Sequence, residues 1–329
     1  MIRILQENGS TASHLMSVLV RNRSARVGGA VILFFVAVSI LNLAYPEYMG
    51  VTNAFSIRSF TNFSANLDAV PTPPTFSEGW EYIFGTTAYA IPILPAILAS
   101  ITVDLAFAVP IAGISALMGT IAGVLCTYLS RKMEMGMLAV AGIVSSFPLI
   151  ISVMIFGMML SFTISGIVVG IVFVMWSYYA LIARNMTLDI RNRQYIEASR
   201  AAGASKFRVI FRHVIPNAIS PIMARFSLDL ATVIVILSAI DYIFYSQFIG
   251  LAPYPEMGSL IAAFQGAGAL YGPHNPLSGP YIPVNSALLL FQGDWWIVVI
   301  PIIFLVILVL SLISFSTGLR ETLDPRVRF

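Results

Sequence analysis

The residues that could do chemistry in this sequence are concentrated in one polar stretch, from Arg184 to His213. This stretch carries seven Lys or Arg residues against two acids, Asp189 and Glu197, and apolar sequence lies on both sides of it. A basic stretch between two apolar segments is typical of a loop on the cytoplasmic side of a membrane. Its chemistry is therefore that of a charged surface available to a partner.

The local sequence of this stretch predicts two helices separated by a break. No Pro or Gly occurs between Arg191 and Ala202, whereas Gly203 can end a helix in a left-handed conformation at little steric cost. Ser205 can cap the next helix, and Pro216 is expected to stop it within the first turn of the following span. The second helix is expected to carry one apolar stripe, formed by Phe207, Ile210, Phe211 and Val214.

The face around Ala198, Ser199, Ala202 and Gly203 has almost no side-chain bulk, so a partner's backbone or a large side chain could approach it closely. A second interpretation is a solvated loop in which Glu197 pairs with Arg193 or Arg200. Such a surface pair contributes less than about 1 kcal/mol to stability.

Three further ionisable residues lie inside apolar segments, where charge is costly and marks candidates for function. Asp104 lies in the second predicted span, and Arg225 and Asp229 are four residues apart in the fifth. Arg225 and Asp229 can therefore meet on one helical face. Either they form a structural ion pair, or Asp104 and Asp229 line a wet cavity on a translocation path.

Several reaction chemistries have no motif here. Neither Lys132 nor Lys206, the two lysines, follows Gly, so no phosphate-binding Gly-x-x-x-x-Gly-Lys loop is present. The sequence also has no His-Glu-x-x-His site and no Gly-x-Ser-x-Gly elbow. Its single cysteine, Cys126, excludes an internal disulfide and a cysteine metal cluster. We therefore predict neither a catalytic site nor a metal site in this chain.

The composition is that of an integral membrane protein. Hydrophobic residues make up 58% of the chain, charged residues only 10%, and the mean hydropathy is +0.88. Apolar runs of about 20 residues are long enough to cross a bilayer as helices. We predict an all-α protein with six spans, at about 27–45, 101–128, 137–160, 164–183, 217–240 and 295–316.

The distribution of charge predicts the orientation of these spans. All but two of the 18 Lys and Arg residues lie before the first span, after the second, between the fourth and fifth, or after the last. The exceptions are Arg58 and Arg225. Positive residues favour the cytoplasmic side, so both termini are expected in the cytoplasm. This sorting explains the basic residues without nucleic-acid binding.

The polar stretch resembles a known family. Glu197-Ala198-Ser199, three residues, Gly203 and, nine residues later, His213–Pro216 are similar to the Glu-Ala-Ala motif of permease subunits of binding-protein-dependent ABC importers. Ser199 and Ile215 replace the usual Ala and Leu. The run Arg212–Asn217 and the tail Gly318–Arg326 resemble the C-type permeases of the dipeptide, oligopeptide and nickel branch.

This resemblance implies a type I ABC importer transmembrane fold with a cytoplasmic pair of coupling helices at about 190–215. The implied partners are a second homologous permease, two cytoplasmic ATPase subunits that bind ATP and Mg, and an extracytoplasmic solute-binding protein. The implied coupling residues, of which Glu197 and Gly203 are the least replaceable, are Glu197, Ala198, Ser199, Gly203, Ala204, Arg212 and Pro216.

The resulting domain plan places an interfacial segment at 1–26, the first span at 27–45 and an outer segment at 46–100. The ABC transmembrane domain covers 101–318, with an outer loop at about 241–294, and a cytoplasmic tail follows at 319–329. The expected function is half of a pore for peptides, with no enzymatic activity or cofactor of its own. Alternatives are the same machinery carrying oligosaccharides or nickel, and a stand-alone secondary transporter or channel.

Overall fold

The structure is a computed structural model that describes residues 22–45, 71–77, 79–87, 91–161, 163–248, 256–262 and 294–323. Much of the predicted outer segment and outer loop, and most of both termini, lies outside the described residues. The helices, in chain order, are α1 Arg23–Ala44, α2 Ile93–Leu129, α3 Arg131–Ser145, α4 Leu149–Met159, α5 Ile164–Arg191, α6 Gln194–Ala201, α7 Lys206–Val209, a π-helical turn Ile210–Val214, α8 Ile215–Phe248 and α9 Trp296–Leu323.

The predicted all-helical membrane architecture is confirmed. Among the described residues, five helical segments are long and apolar enough to cross a membrane: α1, α2, α5, α9 and the part of α8 from Pro221 to Ile243. The bent pair α3 and α4 supplies a sixth span if it is counted as one. Their apolar side chains are compatible with the hydrocarbon of the bilayer. Their backbone N–H and C=O groups form hydrogen bonds within each helix, which is necessary where no water is present.

Several helices extend beyond the predicted spans: α5 runs to Arg191, α8 to Phe248 and α9 to Leu323. The second helix starts at Ile93 rather than near residue 101, because Pro95 lies in its first turn, where a missing N–H has no helical acceptor to lose. The third span is not one helix. It breaks before Pro148 and its two halves meet at 87°, because proline disfavours helical backbone at the residue before it and cannot donate into the preceding turn.

The chain divides into two compact units. The first contains the described parts of Met1–Gly29, Ala108–Val233 and Ser311–Phe329. Within it, α2 and α5 pack with almost no space between their backbones. A Cβ atom added to Gly119 would lie 2.2 Å from the carbonyl oxygen of Trp176, and one added to Gly123 would lie 2.3 Å from that of Ala180. This small-residue contact brings two helices together as in other membrane proteins.

The second unit contains the described parts of Ala30–Phe107 and Ile234–Leu310. Here the buried Asn42 side chain donates to the hydroxyl of Thr102 at 3.1 Å, which joins α1 to α2. The indole nitrogen of Trp296 donates to the carbonyl oxygen of Thr86 at 3.3 Å, which ties the start of α9 to the segment before α2. Polar side chains therefore connect helices that are otherwise apolar.

Candidate functional site

The helix pair α6 and α7 has the predicted break. Gly203 adopts φ +82°, the left-handed conformation that favours glycine, and no atom lies within 4 Å of the position that its Cβ would occupy. The Ser205 side chain accepts a hydrogen bond from the backbone N–H of Arg208 at 3.3 Å and so caps α7. Both local predictions are confirmed, because each depends on a conformational preference of one residue.

One side of the pair is anchored on the ends of α2 and α5. Ile196 is fully buried and lies in an apolar cluster with residues of both long helices and of the π-helical turn. The cluster, which we call the anchor cluster, consists of Val124, Tyr128, Ala183, Ile190, Ile196, Val209, Ile210 and Val214. This buried cluster joins the helix pair to the ends of two candidate spans.

The four residues of the predicted apolar stripe on the second helix differ in their burial. Ile210 and Val214 are buried, whereas Phe207 and Phe211 are 57% and 65% exposed. A π-helical turn, which is wider than an α turn, covers Ile210–Val214 and therefore includes Phe211 but not Phe207. This turn lies just before Pro216, whose ring would crowd the carbonyl of Arg212 in a regular α-helix.

Pro216 does not stop the helix. The π-helical turn passes directly into α8, which begins at Ile215, so Pro216 is the second residue of α8. It does lie in the first turn of that helix, as predicted. No break separates the π-helical turn from α8. A movement of the helix pair can therefore pass into α8 through continuous helix.

Arg200 contributes a polar contact to the same anchored side. Its Nη2 and Nε atoms lie 2.8 and 3.2 Å from the Tyr128 hydroxyl, and its guanidinium carbon is 5.2 Å from the ring centroid. Glu197, by contrast, is exposed and forms no ion pair among the described residues. The interpretation in which Glu197 pairs with Arg193 or Arg200 is therefore wrong.

The other side of the pair is open. In an α-helix, Ala198 points away from the direction of Ile196 and Arg200, because a step of two residues turns by about 200°. We call the exposed surface around Ala198 the open face. Among the predicted coupling residues, Ala204 packs against the anchor cluster instead. Four of them besides Ala198 are exposed and two are half-buried: Glu197, Gly203, Arg212 and Pro216, and then Ser199 and Ala204.

A buried ion pair, which the sequence interpretation missed, joins α3 to α5 beside the helix pair α6 and α7. Glu134 of α3 is 2% exposed and lies 2.7 Å from Nη2 of Arg184 on α5. The Arg131 side chain, which is 76% exposed, lies 3.4 Å from the other carboxylate oxygen of Glu134. The sequence contained a signal for this ion pair, because Glu134 is the only acid between Asp104 and Asp189. An isolated acid in apolar sequence is expected to find a cation.

The predicted translocation residues are all in place but differ in their surroundings. Arg225 and Asp229 form the expected contact, with N···O distances of 2.9 and 3.0 Å, and Asp229 is fully buried. Arg225 also lies over the Tyr178 ring, 5.1 Å from its centroid. Asp104 belongs to the second unit, where it is fully buried and accepts from the backbone N–H of Met257 at 3.4 Å. Their role on a path stays a prediction.

The arrangement as a whole is suited to docking. A rigid apolar anchor presents an exposed surface of small and charged side chains, and a protein partner can approach its backbone closely. Among the described residues, no group of three His, Cys, Asp or Glu side chains could hold a metal ion. The site therefore offers shape and charge to a partner.

Comparison with known proteins agrees with this geometry. The family described as the binding-protein-dependent transport system inner membrane component matches residues 115–329. A putative peptide transport system permease protein of Brucella abortus biovar 1 (strain 9-941) is 26% identical over 313 residues, which cover 94% of this chain and 90% of the relative.

Two further relatives carry C-type names. The oligopeptide transport system permease protein OppC of Haemophilus influenzae is 26% identical over 308 residues, 94% of this chain and 86% of the relative. The dipeptide transport system permease protein DppC of Lactococcus lactis subsp. cremoris is 26% identical over 249 residues, 75% of this chain and 64% of the relative. The chain therefore belongs to the family of binding-protein-dependent transport system inner membrane components, as a C-type ABC importer permease with the type I transmembrane fold.

Proposed function

We propose that this chain forms half of the translocation pore of an ATP-driven importer and couples that pore to a cytoplasmic ATPase. The observation that carries the proposal is the open face, held on the anchor cluster at the ends of α2 and α5. A docked ATPase that moved this face would move both helices with it, since their contacts are fully buried. Rigid movement of packed elements is a common way to switch access.

The orientation and partners follow from the same proposal. The open face and both termini lie in the cytoplasm, in agreement with the excess of Lys and Arg in these segments. A second, homologous permease completes the pore, two ATPase subunits bind ATP and Mg beneath it, and a solute-binding protein delivers the substrate from outside. The chain itself holds no cofactor and hydrolyses no ATP.

Peptides are the proposed substrate class. Relatives that match over most of this chain are named as peptide, oligopeptide and dipeptide permeases. The same machinery carrying oligosaccharides or nickel is the alternative, and binding of each solute class to the cognate solute-binding protein would decide between them. A binding protein that takes up sugars or nickel, and no peptide, would contradict the peptide assignment.

Replacing Gly203 with tryptophan is expected to reduce uptake at least about tenfold and to uncouple ATP hydrolysis from it. Bulk and left-handed strain of about 1–2 kcal/mol would both act at the exposed break between α6 and α7. The measurement is peptide uptake and ATPase activity in proteoliposomes that contain the complete importer. Copurification of the ATPase with the permease shows whether docking itself is lost.

Two variants control for strain and for bulk. Gly203→Asn keeps a residue that tolerates the left-handed conformation, so its uptake is expected within about twofold of wild type. Gly136→Trp adds the same bulk at an exposed glycine of α3 with nothing within 4 Å of its Cβ position, and its ATPase docking is expected to be normal. Normal uptake by Gly203→Trp in an assembled importer would refute the coupling role.

A further inference from the structure

A second surface lies on the anchored side of the coupling pair, away from the open face. It is a cavity of about 490 Å³ between the end of α2, the start of α3, the end of α5 and the pair α6 and α7. We call it the basic pocket. Its polar lining consists of Tyr128, Ser130, Arg131, Glu134, Arg191, Arg200 and Lys206. Apart from Ala204, it contains none of the predicted coupling residues.

The charge in the basic pocket is not balanced by protein. Its one acid, Glu134, is shared by Arg184 at 2.7 Å and by Arg131, itself a lining residue, at 3.4 Å. Arg191 and Lys206 form no ion pair among the described residues, and Arg200 is bound to the neutral Tyr128 hydroxyl. Several cations that face one cavity repel each other unless an anion enters it. The geometry therefore calls for an anionic ligand.

The position of the pocket identifies the ligand chemistry. Leu129 ends a long apolar helix and lines the pocket directly beside Arg131, and Leu188 lines it beside Arg191. Apolar and cationic lining residues thus come from the same helix ends, as at the boundary between acyl chains and headgroups. Basic pockets between spans on the cytoplasmic side bind the headgroups of anionic lipids.

We propose that the basic pocket binds a phosphate group, and that the headgroup of an anionic phospholipid of the inner leaflet supplies it. The placement in the inner leaflet rests on the orientation proposed above, but binding itself does not require the ATPase. The guanidinium groups of Arg191 and Arg200 can each donate to two phosphate oxygens. A bound headgroup would brace the inner ends of α2 and α5, on which the coupling pair stands.

The test measures lipid retention by the full chain in detergent, by native mass spectrometry with phosphatidylglycerol and with phosphatidylcholine. Wild type is expected to retain phosphatidylglycerol in preference. Arg191→Gln and Lys206→Gln are each expected to weaken this binding about fivefold, since one cation near a membrane surface contributes about 1 kcal/mol. The double variant is expected to weaken it about 25-fold. Raising the salt concentration should weaken wild type in the same direction.

Matched controls are an arginine two residues from Arg191 and the only other lysine of the chain. Arg193→Gln and Lys132→Gln remove the same charges from exposed positions that do not line the pocket, so their lipid affinity is expected within about twofold of wild type. A second arm adds inorganic phosphate to lipid-free protein and follows the melting temperature. If inorganic phosphate stabilises wild type but not the double variant, and wild type shows no preference for phosphatidylglycerol, the anion site is supported and its ligand is a free phosphate.

Two outcomes would overturn the proposal. The first is a double variant that retains phosphatidylglycerol and responds to inorganic phosphate as wild type does. The second is a protein that neither prefers phosphatidylglycerol nor gains thermal stability from inorganic phosphate, while carbodiimide cross-links Lys206 to a carboxylate of the ATPase in the assembled importer. The pocket would then belong to that partner. Because lipid retention is read without the ATPase, failure of this proposal and failure of the coupling proposal are distinguishable.

Discussion

Replacing Gly119 with alanine is expected to destabilise the permease by about 3 kcal/mol or more and to reduce the yield of folded protein sharply. The new Cβ would lie 2.2 Å from the Trp176 carbonyl oxygen and 2.6 Å from Cβ of Tyr179. Neither atom is the end of a flexible side chain, so α2 and α5 would have to separate. Extra atoms in a packed interior cost about 1–3 kcal/mol, and more where backbone must move.

The effect should extend to the coupling pair. Tyr128, which holds Arg200, lies nine residues beyond Gly119 on α2, and Ile190 lies near the end of α5. Separation of the two helices would therefore disturb the anchor cluster as well as the helix contact. The free energy of unfolding can be measured by steric trapping in bicelles, and the folded yield by size-exclusion chromatography.

Gly113→Ala is the matched control for Gly119→Ala. Gly113 lies on the same helix, and nothing lies within 4 Å of its Cβ position. Alanine is the better helix former, so stability is expected to stay within about 0.5 kcal/mol of wild type or to rise slightly. Equal losses for Gly113→Ala and Gly119→Ala would show that loss of a glycine, rather than contact between the helices, sets the cost.

Replacing Arg225 with methionine is expected to cost about 3–5 kcal/mol, whereas Asp229→Asn should cost clearly less. The asymmetry arises because Asp229 is fully buried, while the Arg225 side chain is 29% exposed and also lies over Tyr178. Removing one partner of a buried ion pair leaves an uncompensated charge, and the carboxylate has the poorer access to water. Steric trapping of each variant measures both costs.

The double variant Arg225→Met with Asp229→Leu removes both charges. With both charges replaced by apolar side chains, stability is expected to return to within about 1.5 kcal/mol of wild type, because buried pairs can often be exchanged for apolar packing. Peptide uptake by this variant also tests the second interpretation of Asp229. A stable double variant that no longer transports would favour a role on the translocation path, whereas normal uptake would leave only the structural role.

What the sequence could predict was set by local preferences. The spans follow from hydrophobicity, and the conformations of Gly203 and Ser205 follow from one residue each. The break at Gly203 and the cap at Ser205 were enough to predict the helix pair α6 and α7 around Glu197. These features need no knowledge of what a residue contacts across the fold.

The features that sequence reasoning missed depend on distant contacts or on backbone geometry. Glu134 and Arg184 are 50 residues apart in the chain, and their pairing requires α3 to lie beside α5. The π-helical turn at Ile210–Val214, which carries the exposed Phe211, is not described by a period of 3.6 residues. Gly119 and Gly123 carry the small-xxx-small spacing, but the spacing alone does not name the helix they meet.

The bend at Pro148 has a consequence for how the importer is assembled. Arg131 and Arg191 lie on the same side of the membrane in the proposed orientation, and α5 crosses once, so α3 and α4 together must also cross. Fifteen residues of α3 reach about 22 Å, which leaves the turn at Ser146–Pro148 within the roughly 30 Å hydrocarbon layer. Phe147 is 46% exposed there, and irregular backbone at that depth must be shielded from lipid by protein. We therefore expect the companion permease to cover the turn at Ser146–Pro148. A cysteine placed at Phe147 should form a cross-link to a cysteine in that permease.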